Sequence, residues 1–201
     1  MSSRPTLSTE PHVPSATGPV GSPSHVPTFE TDRLLLRGIR GDDFEAMVGF
    51  YADPISRYYG GPCNRQEAWR KFAAFPGHWM LRGYGPWTLE SKTDGSVVGI
   101  CGPWYPDGWI EPEITWALVP DHHGRGFATE AAERAITVCY EHFGWDTAVS
   151  VISTNNHASI AVAERLGASR EGAVDNRYGP ADVYRHRPPN PVQPHPRRTP
   201  K

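Results

Sequence analysis

Two periods of hydrophobic and polar residues alternate along the middle of the chain. Short apolar runs, bounded by turn residues, occur at 33–37, 87–90, 97–101, 111–119, 147–153 and 169–174, with a weaker one at 183–185. Runs of this length predict β-strands. In the fourth run the polar Thr115 lies between the apolar Ile114 and Trp116, so the two faces of this strand differ.

Helical spacing appears between these predicted strands. The strongest case is residues 127–143, where one stripe is formed by Ala128, Ala132, Ala135, Cys139 and Phe143. Gly144 ends that helix. Capping signatures predict further helices from Asp42 to about residue 51, from Asn64 to about 75, and from Asn155-Asn156 to 166–167. The order predicts an α/β fold with a mostly antiparallel mixed sheet flanked by helices.

The two ends of the chain differ from this pattern. Residues 1–27 are dominated by Ser, Pro, Thr and Gly, and residues 188–201 hold six prolines and three basic side chains. Such composition buries little apolar surface. We therefore expect a disordered N-terminal tail at 1–27, one domain at 28–187 and a Pro-rich basic tail at 188–201.

Charge and composition exclude several classes of partner. The net charge is −2 and no apolar run approaches the roughly 18 residues of a membrane span. No secretory signal precedes the domain, so we expect a cytoplasmic protein with neither a nucleic-acid nor a membrane partner. The three cysteines are far apart and fit buried thiols. The histidines lack metal-ligand spacing, so no metal site is predicted.

The segment between the fourth strand and the strongest helix carries a candidate ligand site. Gly124 and Gly126 allow the backbone to turn its N–H groups toward an anion at the helix N-terminus. A dinucleotide motif would require a third glycine where Thr129 stands. A Walker A loop would require a lysine that is absent from this segment.

Six segments, in order, resemble the GNAT superfamily of N-acetyltransferases, most closely its RimJ/RimL-like branch of ribosomal-protein N-terminal acetyltransferases. They are residues 31–37, 42–43, 98–102, 113–120, 123–131 and 156–168. The resemblance spans about residues 29–187. It implies a GNAT fold in which two central strands splay around the arm of coenzyme A, with acetyl-CoA as co-substrate and no metal.

The resemblance also implies which residues bind the cofactor. These are Leu118, Val119, His123, Gly124, Arg125, Gly126, Phe127, Ala128, Thr129 and Asn156. Backbone groups of the first two would bond the pantetheine arm and polarise the thioester carbonyl. His123 replaces the usual Gln or Arg, which suggests that backbone N–H groups and Arg125 hold the pyrophosphate. Asn156 either contacts the arm or caps its helix.

The predicted catalytic residues are Glu113 and Ser159. Glu113 is the candidate base on the strand before the loop, the alternative being a partly exposed strand carboxylate. Many family members have a tyrosine acid where this chain has Ala163. In the RimJ/RimL-like branch a serine at the position of Ser159 is a proposed substitute, the alternative being a local hydrogen bond at the helix start.

The expected function is direct transfer of an acetyl group from acetyl-CoA to a primary amine, either a peptide N-terminus or a small molecule. Direct transfer is preferred because no cysteine lies near the loop or the Asn156 helix start. Segments 58–61 and 104–109 would shape the acceptor pocket, and half of the dense aromatics would be core. Two alternatives stay open: a catalytically weak CoA-binding regulatory module, and a larger acyl-CoA donor given room by Ala163. A homodimer is also left open.

Overall fold

The computed structural model describes residues 26–176 and 178–189. Apart from 26–27 and 188–189, the predicted tails at 1–27 and 188–201 lie outside the described residues. Val26 packs against the core, and the carbonyl of Pro27 accepts a hydrogen bond of 2.9 Å from the Trp87 indole. The domain therefore includes these two residues, which the sequence assigned to the tail.

Eight strands form a single mixed sheet in the order β1-β2-β3-β4-β5-β6-β8-β7. The strands are β1 (Phe29–Glu30), β2 (Leu34–Arg37), β3 (Trp87–Ser91), β4 (Val97–Trp104), β5 (Glu113–Leu118), β6 (Ala148–Ser153), β7 (Ser169–Asn176) and β8 (Gly179–His186). Every neighbouring pair is antiparallel except β5 and β6. The predicted mixed, mostly antiparallel sheet is confirmed.

In the part of the chain that the structure describes, four α-helices flank the sheet. They are α1 (Phe44–Ala52), α2 (Arg65–Arg82), α3 (Phe127–Glu141) and α4 (His157–Arg165). One buried cluster packs the apolar stripe of α3 against the strands, and a second packs α1 and α2 against Ile100 and Ala117. Both faces of the sheet are thus covered. Within the described residues, no helix is both long and apolar enough to cross a membrane.

Helices α1 and α2 differ from the sequence prediction at their ends. Helix α1 begins at Phe44, and its N-cap residue, Asp43, makes no side-chain cap hydrogen bond to it. The Asp43 carboxylate instead accepts from the Arg40 N–H at 2.8 Å, at the start of the 3-10 turn Gly41–Asp43 that precedes the helix. Helix α2 continues past Pro76 to Arg82, because burial of His78 and Trp79 in its last two turns outweighs the hydrogen bond that the proline removes. Asn64 does cap α2, as its pattern predicts.

The central feature of the sheet is the separation of β5 from β6. The two parallel strands share a single register pair, Glu113 with Val149. The Ser150 hydroxyl donates to the Ile114 carbonyl at 2.6 Å, and beyond this point no further register pair joins the strands. We call the opening between their carboxyl ends the gap. It is the splay that the family resemblance implies.

Candidate functional site

The N-terminus of α3 has the geometry of an anion site. Gly124 and Gly126 adopt the left-handed conformation, with φ of 70° and 80°. Gly126 is the N-cap residue and no side chain caps the helix. The first-turn N–H groups therefore have no side-chain cap, and the positive end of the helix dipole adds to their attraction for an anion.

A cavity of about 1010 Å³ extends from this helix end along the gap. We call it the donor channel. It is lined by eight of the ten predicted cofactor-binding residues, namely Leu118, His123, Gly124, Gly126, Phe127, Ala128, Thr129 and Asn156. A channel that leads from an anion-binding helix N-terminus into the gap fits a long ligand with a phosphate at one end.

Val119 is one of the two predicted residues outside this lining. Its N–H donates to the Val98 carbonyl at 3.0 Å, on the side of the strand away from the gap. Because backbone groups alternate in direction along a strand, those of Trp116 and Leu118 face the gap. The Leu118 carbonyl already accepts from His123 Nε2 at 2.8 Å. The geometry thus points to Trp116, which the sequence prediction missed, and Leu118 as the gap-side backbone.

Arg125 is the second exception. Its exposed guanidinium lies 5.3 Å from the ring centroid of Phe127, and the channel lining does not include it. Arg33 lines the channel instead of Arg125. Its side chain donates to the Arg125 carbonyl at 2.9 Å and forms an ion pair with Glu130 at 2.6 Å. Arg33 lies immediately before β2, more than 90 residues from the glycine loop, so no local pattern could have indicated it.

A second cavity, of about 220 Å³, lies at the base of the gap beneath α2. We call it the acceptor cavity. Glu113 lines it and is only 7% exposed, so it is not the partly exposed carboxylate of the alternative interpretation. Burial raises the pKa of Glu113 to about 8, while hydrogen bonds from the Trp109 indole, at 2.5 Å, and the Val151 N–H lower it.

Aromatic side chains make up much of the wall of the acceptor cavity. Of the eight aromatics that the sequence divides between pocket and core, four line the cavity: Tyr58, Tyr59, Trp104 and Trp109. The other four, Trp79, Tyr84, Trp87 and Tyr105, are in the core or pack against it. Tyr59 and Trp104 also pack against the second buried cluster, so these two rings belong to both the cavity wall and the core.

The two cavities meet at five residues that line both: Tyr58, Tyr59, Trp116, Asn156 and Ser159. We call this set the junction. The Trp116 indole donates to Ser159 Oγ at 3.3 Å, and Asn156 Oδ1 accepts from the Ser159 N–H at 3.2 Å. Asn156 therefore caps α4 and also lines the channel, so the two interpretations of this residue are compatible.

Tyr59 is a junction residue that the candidate list omits. Burial raises the pKa of its phenol far above the ordinary value, and a hydrogen bond with the Ser159 hydroxyl opposes this shift. The negative charge of Glu113 adds to the rise. A neutral phenol thus stands between the two predicted catalytic side chains. Its tyrosine neighbour, Tyr58, donates to the Asn155 carbonyl at 2.8 Å.

Three further features considered from the sequence are the cysteines, Ala163 and a possible metal site. None of the three cysteines lines either cavity. Ala163 is fully buried in the core and does not face the channel, so it gives no extra room to an acyl chain. In residues 26–176 and 178–189, no group of three or more His, Cys, Asp or Glu is arranged to hold a metal ion.

Comparison with known proteins agrees with the fold. The family model of the acetyltransferase (GNAT) domain matches residues 33–169. A curated relative is the uncharacterized N-acetyltransferase YoaA of Bacillus subtilis (strain 168), which is 26% identical over 152 residues, covering 74% of this chain and 86% of that protein. A solved acetyltransferase from Agrobacterium tumefaciens str. C58 is 32% identical, with a TM-score of 0.75, over 81% of this chain and 95% of that one.

A structure titled RimL, a ribosomal L7/L12 alpha-N-protein acetyltransferase in complex with coenzyme A, shares the fold. Its TM-score is 0.64 at 16% identity, over 78% of this chain and 94% of that one. The family model alone covers well over half of the chain. The chain therefore belongs to the GNAT acetyltransferases and is an acyltransferase.

Proposed function

We propose that this protein transfers the acetyl group of acetyl-CoA directly to a primary amine. The observation that carries the proposal is the junction, where the donor channel meets a separate cavity that contains a buried carboxylate. Two ligands that enter from these two sides would bring their reactive ends together there. Positioning two reactants in this way supplies a large part of a catalytic rate enhancement.

The donor channel fits acetyl-CoA. The uncapped N-terminus of α3 and the two left-handed glycines present N–H groups to a pyrophosphate, and Arg33 adds a cation at the channel wall. The backbone of Trp116 and Leu118 faces the gap, where it can bond the pantetheine arm. Acetyl-CoA supplies an activated thioester, and the RimL structure was solved with coenzyme A.

Glu113 is proposed to remove a proton from the amine, directly or through water. With a pKa raised to about 8, it is partly ionised near neutral pH. The α-amino group of a peptide N-terminus titrates at about 7.7–8.0, so base and substrate would be matched for that class of acceptor. The side chain of a lysine, at about 10.4, would need more help.

Ser159 is proposed to return a proton to the leaving thiolate. An indole N–H can only donate, so Ser159 Oγ accepts from Trp116 and its own O–H is directed elsewhere. The Tyr59 phenol, which the Ser159 hydroxyl contacts, can replenish that proton. Neither the regulatory module nor the larger acyl donor has an observation in its favour. Glu113 lies in the wall of the acceptor cavity, and Ala163 is outside the channel.

A thiol-release assay tests the proposal. Purified protein and acetyl-CoA are incubated with peptides, amino acids, polyamines and aminoglycosides, and acetylated products are identified by mass spectrometry. We expect stoichiometric release of CoA thiol and N-acetyl product with at least one class. Tight CoA binding without turnover on any amine would contradict the proposal and favour the regulatory module.

A further inference from the structure

The acceptor cavity contains one group of each charge among its described lining residues. Its single carboxylate is Glu113 and its single ammonium group is Lys71. The rest of the wall is mostly aromatic and aliphatic. A cavity with one acid, one base and apolar walls complements a molecule with one amine, one carboxylate and an apolar body.

The side chain of Lys71 lines the acceptor cavity, although a potential ion-pair partner on the helix surface is near in sequence. Glu67 precedes it by one helical turn, the spacing at which a Glu–Lys pair forms on a helix surface. Across the described parts of the chain, 26–176 and 178–189, no ion pair includes Lys71. Its ammonium instead donates to the Tyr59 carbonyl at 3.5 Å, a long hydrogen bond.

The Lys71 ammonium lies beside Gly60. This residue has a φ of 73°, and a methyl group placed on it would lie 2.8 Å from Lys71 Nζ and 2.9 Å from a ring carbon of Tyr178. Lys71 and Tyr178 therefore close over the glycine at the wall of the cavity. A half-buried ammonium with three donors and one long contact has capacity for an anionic ligand.

We infer that the acceptor is a small zwitterion, an amino acid-like molecule whose carboxylate binds Lys71 while its amine faces Glu113. This rests on the proposed function of the same site. A polyamine is disfavoured because its second cation would meet Lys71 instead of an acid. A volume of about 220 Å³ lies below the roughly 300–1,000 Å³ of drug-sized pockets, which disfavours large aminoglycosides.

Matched acceptors test the inference. Amino acids with apolar side chains, and ω-amino acids of increasing length, are each compared with the amine that lacks the carboxylate and with the carboxamide. We expect kcat/KM to favour the carboxylate-bearing member of at least one set by about 10- to 100-fold, as for a charge-assisted hydrogen bond. Turnover that prefers the decarboxylated amines would overturn the inference, whereas no turnover on any amine would instead overturn the proposed function.

Variants of Lys71 assign the preference to this residue. Lys71→Met should reduce the ratio of kcat/KM between the carboxylate-bearing acceptor and its decarboxylated partner by about tenfold or more, and Lys71→Arg should restore most of it. Arg70→Met, a change at the exposed neighbouring position of α2, is the control. A ratio that is the same in Lys71→Met and in the wild type would show that Lys71 does not bind the carboxylate.

Discussion

The donor channel and the acceptor cavity are built from the chain in opposite ways. Half of the residues that line the donor channel come from one stretch of the chain, the end of β5, the glycine loop and the start of α3, where backbone N–H groups form the proposed anion site. The acceptor cavity takes side chains from α1, the segment after it, α2, β4, β5, β6, α4 and the β7–β8 hairpin. One ligand would meet the main chain, and the other would meet side chains.

This difference explains how one fold serves different acceptors. A backbone site changes little when side chains are replaced, provided that the glycines keep their conformations. A cavity assembled from distant side chains changes with each of them while the sheet and the loop stay intact. We therefore expect the fold to set the donor, and residues such as Lys71, Trp104 and Trp109 to select the acceptor.

The largest expected effect is in the acceptor cavity. Glu113→Gln should lower kcat by roughly 10²–10⁴-fold, the usual contribution of a general base, with little change in the Kd for CoA. The rate of the wild type should rise with pH through about 8 and then level off, because the ionised carboxylate is the base. The measurement should use an acceptor whose weakly basic amine is neutral across this pH range. The pH profile then reports the titration of Glu113 and not that of the amine.

The control for this variant is Glu111→Gln, since Glu111 lies two residues earlier and pairs with Arg185 at 2.9 Å. It should keep both the rate and the pH profile of the wild type. If Glu113→Gln kept the wild-type kcat and the same rise of the rate with pH (the pH limb), Glu113 would not be the base.

The next effect is in the donor channel. Gly126→Val should weaken CoA binding by roughly 100-fold, about 3 kcal/mol, because a β-branched residue cannot readily hold a φ of 80° at the anion site. Isothermal calorimetry measures the affinity. Gly95→Val is the matched control: that glycine has a φ of 71° in the β3–β4 hairpin, away from both cavities. Equal CoA affinity in Gly126→Val and wild type would show that the loop does not bind CoA.

A smaller effect is expected at the junction. Ser159→Ala should lower kcat by roughly 10- to 100-fold and affect CoA affinity less. The helix cap uses the Ser159 N–H, which alanine keeps, so lost turnover would not report a lost cap. Stopped-flow measurement of thiol release follows the step. Ser96→Ala, in the same hairpin as Gly95, is the control, and an unchanged rate in Ser159→Ala would leave Ser159 with a structural role alone.

The smallest effect concerns the environment of Glu113. The Trp109 indole donates to the carboxylate and lowers its pKa, so Trp109→Phe should move the pH limb of kcat/KM to higher pH. Trp69→Phe, a half-exposed position on α2, should leave the limb in place. A limb that stays at the same pH in Trp109→Phe would mean that a group other than Glu113 titrates.

The sequence signals on the donor side are local. Alternation located most of the strands, helical spacing located α3, and the glycine loop is contiguous. The features that local patterns leave open depend on long-range pairing. Which way the Val119 N–H points depends on the pairing of β5 with β4, and Arg33 reaches the channel only because β2 lies in the same sheet.

On the acceptor side, the family resemblance named segments 58–61 and 104–109, and residues of both line the cavity. Glu113 was identified through its place on β5, but its burial depends on the tertiary fold, in which the Trp109 indole and the Val151 N–H of β6 both bond its carboxylate. Lys71 carries no local signal, because a lysine on a charged helix is ordinarily solvated and only the tertiary fold turns it inward. The same holds for Tyr59, which reaches Ser159 across 100 residues of sequence.

A crystal structure of the protein with coenzyme A tests the central claim most directly. We predict the pyrophosphate at the backbone N–H groups of residues 124–128, the arm along the gap beside Trp116 and Leu118, and the sulfur at the junction near Ser159. A pyrophosphate bound elsewhere, or a sulfur that does not reach the residues shared with the acceptor cavity, would contradict the account.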